Sequence, residues 1–316
     1  MKLVLNKTAS LIITLFIVSL LAFLAFQIIP GDPTTKILGT NASPEKVASL
    51  REQLGLDRPV LVRYWEWLLS FLRGDFGTSY NYLRPVGSLL ADKLPVTALL
   101  TVLSFTITAV VSIPLGIAFG STRSQVLDHI AVILDQIVMA VPPLFFGIIA
   151  CYVFGIVLKW FMPGNYISLS ESVAGCIAYL FLPALSLALP RIAMTVRMLR
   201  GSIREELTKN YVLTAQSRGL SRGKILLRHV FRNAMIPVVT FLAVSAAEIM
   251  TGTIIIEQVF TIPGIGRLLV SSIGNRDFPV VQAIVVLLAA WIMIVNFAAD
   301  MLNHWMDPRM RDTGKE

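Results

Sequence analysis

Six apolar runs, each about as long as a helix crossing ~30 Å of hydrocarbon, constrain this chain more than any motif in it. They cover residues 8–29, 97–119, 130–159, 173–190 (running on toward Arg200), 236–260 and 280–305. Inside a bilayer such a run satisfies its backbone as a helix. Composition agrees: 55% of residues are hydrophobic, 15% are charged and the mean hydropathy is +0.74. A soluble domain usually carries about 25% charged residues. The reading is an all-α membrane protein with six transmembrane helices. The first run follows Lys2 and Lys7, as a signal peptide would. It is longer than a usual signal core, and no small-residue cleavage site precedes Pro30, so an uncleaved first span is expected. Cys151 and Cys176 both lie in apolar runs and read as packing residues, not as a disulfide or metal site.

Residues 197–232 hold nine of the 27 Lys and Arg residues against only Glu205 and Glu206. A short cationic loop between spans stays on the cytoplasmic side. Counting spans in both directions then puts both termini in the cytoplasm. Lys2 and Lys7 at one end agree, as do Arg309, Arg311 and Lys315 at the other. The segment 31–95 is then external, and its eight basic and seven acidic residues nearly cancel. The expected domains are a first transmembrane helix (1–29), an extracytoplasmic insert (30–96), a core membrane domain (97–305) and a cytoplasmic tail (306–316). The net charge of +8 would admit nucleic acid, but the excess lies beside the spans and no nucleic-acid module is recognisable. The lipid bilayer is the partner that this charge pattern addresses.

The external insert is patterned. Ser43-Pro44-Glu45-Lys46 reads as a helix start, followed by Val47, Leu50, Leu54 and Leu56 on one side, with Gly55 and Pro59 as interruptions. An aromatic-rich amphipathic helix is expected at 60–72, suited to the outer membrane interface or to a small packed cap. Gly74-Asp75-Phe76-Gly77 turns the chain. Pro114, Pro142, Pro143, Pro183 and Pro190 fall inside spans and should kink them. Gly116 and Gly120 form a GxxxG pair that permits close helix contact.

Within the basic segment, Tyr211–Arg218 is helix-compatible, and Gly219 is a natural terminator. Ser221 can cap a second amphipathic stretch carrying Ile225, Leu226, Val230 and Phe231. The small Ala215 and Gly219 would let another protein approach the corner, and Arg218, Arg222 and Arg228 could pair with its acidic groups.

This segment resembles the EAA-type loop of inner-membrane subunits of ABC importers. Leu213-Thr214-Ala215 with Gly219 matches the second Ala and the Gly of that motif; its Glu is absent, and Pro237 lies further downstream. Both departures fit the dipeptide, oligopeptide and nickel branch. Gly74-Asp75-Phe76-Gly77-Thr78-Ser79, Arg228-His229-Val230-Phe231-Arg232-Asn233-Ala234, the run from Ile255 to Arg267 with Pro263-Gly264-Ile265-Gly266, Asn275-Arg276-Asp277-Phe278-Pro279, and Asp307-Pro308-Arg309 also resemble elements of that branch, in order. The resemblance implies a permease subunit for short peptides, or alternatively for nickel or a metal–chelator complex. It implies a cytoplasmic coupling helix between spans 4 and 5, with Tyr211, Thr214, Ala215, Arg218, Gly219 and Arg222 facing an ATPase. It also implies a homologous second permease, two ABC ATPases and an extracytoplasmic binding protein. ATP and Mg would sit on the ATPases, with no cofactor on this chain.

The chain itself carries no recognisable catalytic motif. Gly219-Leu220-Ser221-Arg222-Gly223-Lys224 ends in Gly-Lys, but the Gly spacing is wrong and Ile225 stands where a Mg ligand belongs. Intramembrane charge is the remaining signal. Glu248 lies near the middle of span 5, with Ser245 and Gly252 on its stripe and Thr251 adjacent. These four either line the translocation path or hold Glu248 in a structural hydrogen bond. Glu257, Pro263, Gly264 and Arg267 form an external loop that either braces a gate or makes a simple ion pair. An independent secondary transporter is the alternative of a different class; the inverted repeat common in that class is not visible.

Overall fold

A computed structural model describes residues 2–28, 34, 38, 43–53 and 57–306. Leu54, Gly55, Leu56, Asp307-Pro308-Arg309 and much of the start of the 30–96 insert lie outside the described residues. In chain order the helices are α1 (Lys2–Ile28), α2 (Pro44–Gln53), α3 (Val60–Leu72), α4 (Val86–Ser121), α5 (Gln125–Ala140), α6 (Pro143–Ala150), α7 (Val173–Leu207), α8 (Asn210–Ser217), α9 (Arg222–Ile225), α10 (Phe231–Val259), α11 (Ile265–Gly274) and α12 (Phe278–Met306). Thr78 and Pro85 form an isolated antiparallel bridge. Five described helical segments are long and apolar enough to cross a membrane, and α5 with the α6 segment makes a sixth when counted as one bent span.

That bend corrects the continuous third span expected over 130–159. α5 ends at Ala140, and the next helix starts at Pro143, with a 90° angle between them. The cause is the Pro pair. A residue before proline is driven out of the helical region, so Val141 (ψ 118°) and Pro142 (ψ 150°) are both extended. Pro143 then takes the first helical position, where its missing N–H costs nothing. The hydropathy of the run hides the break because both halves are apolar. Pro183 and Pro190, by contrast, stay inside one helix assignment, α7.

The chain divides into two compact units. The first comprises Met1–Thr97 and Pro263–Ile294. Here α3 packs on α1: Tyr64 is buried, its hydroxyl shares a 2.9 Å hydrogen bond with Ser19, and its ring meets Phe16 and Phe23. Trp67 joins Phe23 and Phe71, while Trp65 and Leu69 of α3 remain exposed. The expected amphipathic helix at 60–72 therefore forms with those bounds and buries one face on span 1. Gly74 and Gly77 turn the chain at φ values of +83° and +80°, which glycine adopts without strain. The following loop is pinned by Asp277, which is fully buried just before α12. Its carboxylate accepts from the Ser79 hydroxyl at 2.5 Å and from the backbone N–H groups of Tyr80 (3.0 Å) and Asn81 (3.2 Å). The Thr97 hydroxyl accepts from Ile265 N–H at 2.9 Å and so caps α11, for which Gly264 offers no side chain.

The second unit comprises Ala98–Ile262 and Val295–Glu316. Its core is α7 against α10, with α4 laid alongside. Gly116 and Gly120 are where α4 meets α7. A Cβ at Gly116 would lie 2.7 Å from Leu199 Cδ2, and one at Gly120 would lie 2.9 Å from Ile203 Cβ. Leu199 and Ile203 are fully buried. Without a hydrophobic drive between helices in lipid, such close packing is what holds spans together. Gly116→Leu should therefore destabilise the chain by about 2–3 kcal/mol through overpacking. Thermal unfolding of the detergent-purified protein reads this; an unchanged midpoint would contradict the contact.

Candidate functional site

The basic segment 197–232 is mostly helix. α7 continues through Arg197, Arg200 and Arg204 to Leu207, and α9 runs through a π-helical turn (Leu226–Val230) directly into α10. Only residues 208–221 form the connection between the two long helices, and α8 lies within it. Gly219 ends α8 at φ +78°. Its N–H donates to Gln216 O (2.9 Å), and Leu220 N–H donates to Ala215 O (3.3 Å), the paired bonds of a glycine-terminated helix. Ser221 stands at the start of α9, but its side chain makes no capping bond there.

The faces of this elbow are clearly divided. Val212, Ala215, Ile225 and Val230 are buried with Leu199, Ile203, Ala234, Val238 and Leu242 in one apolar cluster. This corrects the outward position expected for Ala215: a small residue is needed there for packing inside the chain. Thr214, Gln216, Arg218, Gly219 and Arg222 are exposed, and so are Leu213 and Leu220. Arg222 has a partner within the chain, since its Nη2 donates to Ser121 O at the C-terminus of α4 (2.9 Å). A cation is favoured at that end of a helix.

Glu206 ties the elbow down. Its carboxylate pairs with Lys209, accepts from the Tyr211 hydroxyl at 2.6 Å and accepts from Asn233 Nδ2 at 3.4 Å. The Glu206 bond lifts the Lys209 ammonium above its ordinary pKa, and burial together with the same carboxylate raises the Tyr211 phenol. Tyr211 is thus a tether inside the chain. A second ionic group holds α5 on α7. Asp128 accepts from Arg200 at 2.9 Å and from Arg204 at 2.8 Å. Asp135, buried two turns further along α5, has its Oδ2 3.9 Å from Arg200 and without a hydrogen bond among the described residues. Sequence reasoning missed Glu206, Asp128 and Asp135; Asp128 and Asp135 at a seven-residue spacing on an otherwise apolar helix were the available signal.

The mid-span stripe separates. Ser245 is fully buried with no partner for its hydroxyl among the described residues, and a Cβ at Gly252 would meet Leu187 of α7 at 3.1 Å. Ser245 lies inside the packing and Gly252 faces α7, so the expected common surface is not formed. Glu248 and Thr251 are exposed, and Glu248 forms an ion pair with Arg191 of α7. Arg191, placed between Pro190 and Ile192 in an apolar helix, was not recognised from sequence. Along the same faces, Met194, Arg197, Met198 and Gly201 of α7 line a hollow of about 340 Å³ with Met139 and Phe241. Of the residues expected at the gate loop, Glu257 is buried in the second unit; Pro263, the buried Gly264 and the exposed Arg267 belong to the first.

The fold and these mid-span charges define a multi-pass helical protein of the membrane. The chain belongs to the family described as binding-protein-dependent transport system inner membrane component, which matches residues 112–312; the N-terminal region of such components matches residues 1–101. A Brucella abortus (strain 2308) protein bearing the name of a peptide transport system permease is 37% identical over 98% of each chain. A glutathione transport system permease protein of Salmonella choleraesuis (strain SC-B67) is 34% identical, again over 98% of each chain. This chain is therefore a permease component of an ABC transport system, a class that works with ATPase and substrate-binding partners.

Proposed function

We propose that this chain is one of two homologous permeases in an ATP-driven importer and that it carries short peptides inward. The names borne by relatives that align over almost the whole chain carry this reading most directly. Two ATPases bind and hydrolyse ATP with Mg, and this chain holds no cofactor. An extracytoplasmic binding protein delivers cargo on the side of the 30–96 insert. Both termini and the α8 elbow lie in the cytoplasm, as the charge of residues 197–232 favours.

The elbow is the coupling element. Leu213, Thr214, Gln216, Arg218 and Gly219 present the surface an ATPase would hold, while Ala215 and Tyr211 fix that surface to α7 and α10. Closure of the ATPases would then move both long helices together, because α9 joins α10 without a hinge of free chain. Glu248 and Thr251 border the path. A charged pair on an apolar span faces a bundle interior or water, not lipid. Glu257 lies toward its external end, and Pro263, Gly264 and Arg267 belong to the external loop that follows in the chain. Reconstitution tests the reading: vesicles holding this chain with its partners should accumulate a radiolabelled tripeptide only with ATP and loaded binding protein. Uptake that continues without ATP would place the chain among secondary transporters instead.

A further inference from the structure

We infer that the Arg191–Glu248 pair and the hollow beside it form one subsite for zwitterionic short peptides, with Glu248 receiving the ammonium and Arg197 the carboxylate. The inference rests on the path reading above and names its cargo chemistry.

Four observations meet here. Residues 191, 194, 198 and 201 follow the i, i+3, i+7, i+10 spacing of one helical face, and so do 241, 244, 248 and 251 on α10. The hollow of about 340 Å³ is lined by members of both rows, a volume within the range of small-ligand sites. Its apolar part is three methionines, Met139, Met194 and Met198, with Phe241. Methionine is unbranched and polarizable, so it adapts to side chains of different shape, which suits cargo with a constant backbone and variable side groups. Charge stands on the same two faces, with Arg191 three residues before Met194 and Glu248 seven after Phe241. Arg191 contacts Glu248 through Oε2, and Glu248 keeps 48% of its side chain exposed. Arg197, exposed, lines the hollow six residues further along α7.

Arg191, which holds Glu248, and Arg197 are six residues apart on α7, a rise of about 9 Å along the helix axis. A chain extended at ~3.3–3.6 Å per residue places the two termini of a dipeptide or tripeptide at that order of separation. The ammonium of the cargo therefore reaches Glu248 while its carboxylate reaches Arg197. Arg191 holds the Glu248 carboxylate in place when the subsite is empty. No bond is made or broken; the cargo exchanges water for charge-assisted hydrogen bonds.

The experiment compares tri-alanine with its N-acetyl and C-amide forms in proteoliposomes of the assembled complex. Occupancy of the binding protein is held equal for the three, so the ratios report the membrane step. The wild-type complex should move tri-alanine about tenfold faster than either blocked form. Glu248→Gln should abolish discrimination against the N-acetyl form only, and Arg197→Gln against the C-amide form only. Arg197 is exposed, so Arg197→Gln carries the test alone should Glu248→Gln fail to assemble. Ratios that remain as in wild type, or that change equally for both forms, overturn the subsite while leaving the importer reading intact. Failure of the wild-type complex to move any of the three would instead count against peptide import itself.

Discussion

Gly219→Arg should assemble normally and yet lose at least about ninety per cent of binding-protein-stimulated ATP turnover. The structure separates the two effects. Gly219 lies at φ +78°, and a Cβ built there meets nothing within 4 Å. Inside the chain the substitution therefore costs only backbone strain, about 1–2 kcal/mol for a non-glycine residue in the left-handed region. Outside it, a long cation is planted at the corner of α8, beside the exposed Leu220 and Arg218. A docked ATPase would meet that bulk directly. Gly219→Ala is the control, since it carries the strain without the bulk. Turnover should fall far less in the Ala variant than in the Arg variant at matched complex levels. Normal stimulated turnover in the Arg variant would contradict the docking assignment, and equal losses in both would assign the effect to strain.

Asp277→Ala should release the loop around Ser79, Tyr80 and Asn81 from the start of α12. The lost carboxylate leaves one hydroxyl and two backbone N–H donors without their acceptor, from Ser79, Tyr80 and Asn81. An unsatisfied buried group costs about 1–3 kcal/mol, so local opening should become easier by roughly 3 kcal/mol or more. When opening is fast compared with cleavage, proteolysis follows the open population, so chymotrypsin should cut after the exposed Tyr82 about a hundredfold faster in solubilised protein. An unchanged cleavage rate would mean that the loop is held by other contacts. Tyr80 reports the same packing, because burial beside Asp277 lifts its phenol above the usual range.

Much of this architecture was legible because it follows from local chemistry. α3 occupies 60–72 as expected, since Pro59 precedes an aromatic amphipathic run and Gly74 follows it. α8 stops where Gly219 permits a left-handed residue. The long apolar helices follow from length alone. What was not legible depends on which helix lies next to which. Two prolines were noticed at 142–143, yet hydropathy cannot distinguish a kink from a 90° break. Ala215 looked like a contact for a partner because it is small, but it is small to fit under α10. Glu248 was read as a mid-span charge that either lines the path or is held by a hydrogen bond, and its partner Arg191 sits on another helix 57 residues away in sequence (248 − 191). The same holds for Asp277, whose three donors come from a loop nearly 200 residues earlier.

The central claim is that the exposed face of α8 is cytoplasmic and lies against an ATPase. Gln216 points outward on that face, so Gln216→Cys offers one direct measurement with a membrane-impermeant thiol reagent. The account predicts no labelling of intact cells, full labelling of inside-out vesicles stripped of the ATPases, and protection when the ATPases are restored. Labelling from outside intact cells, or equal labelling with and without the ATPases, would contradict it.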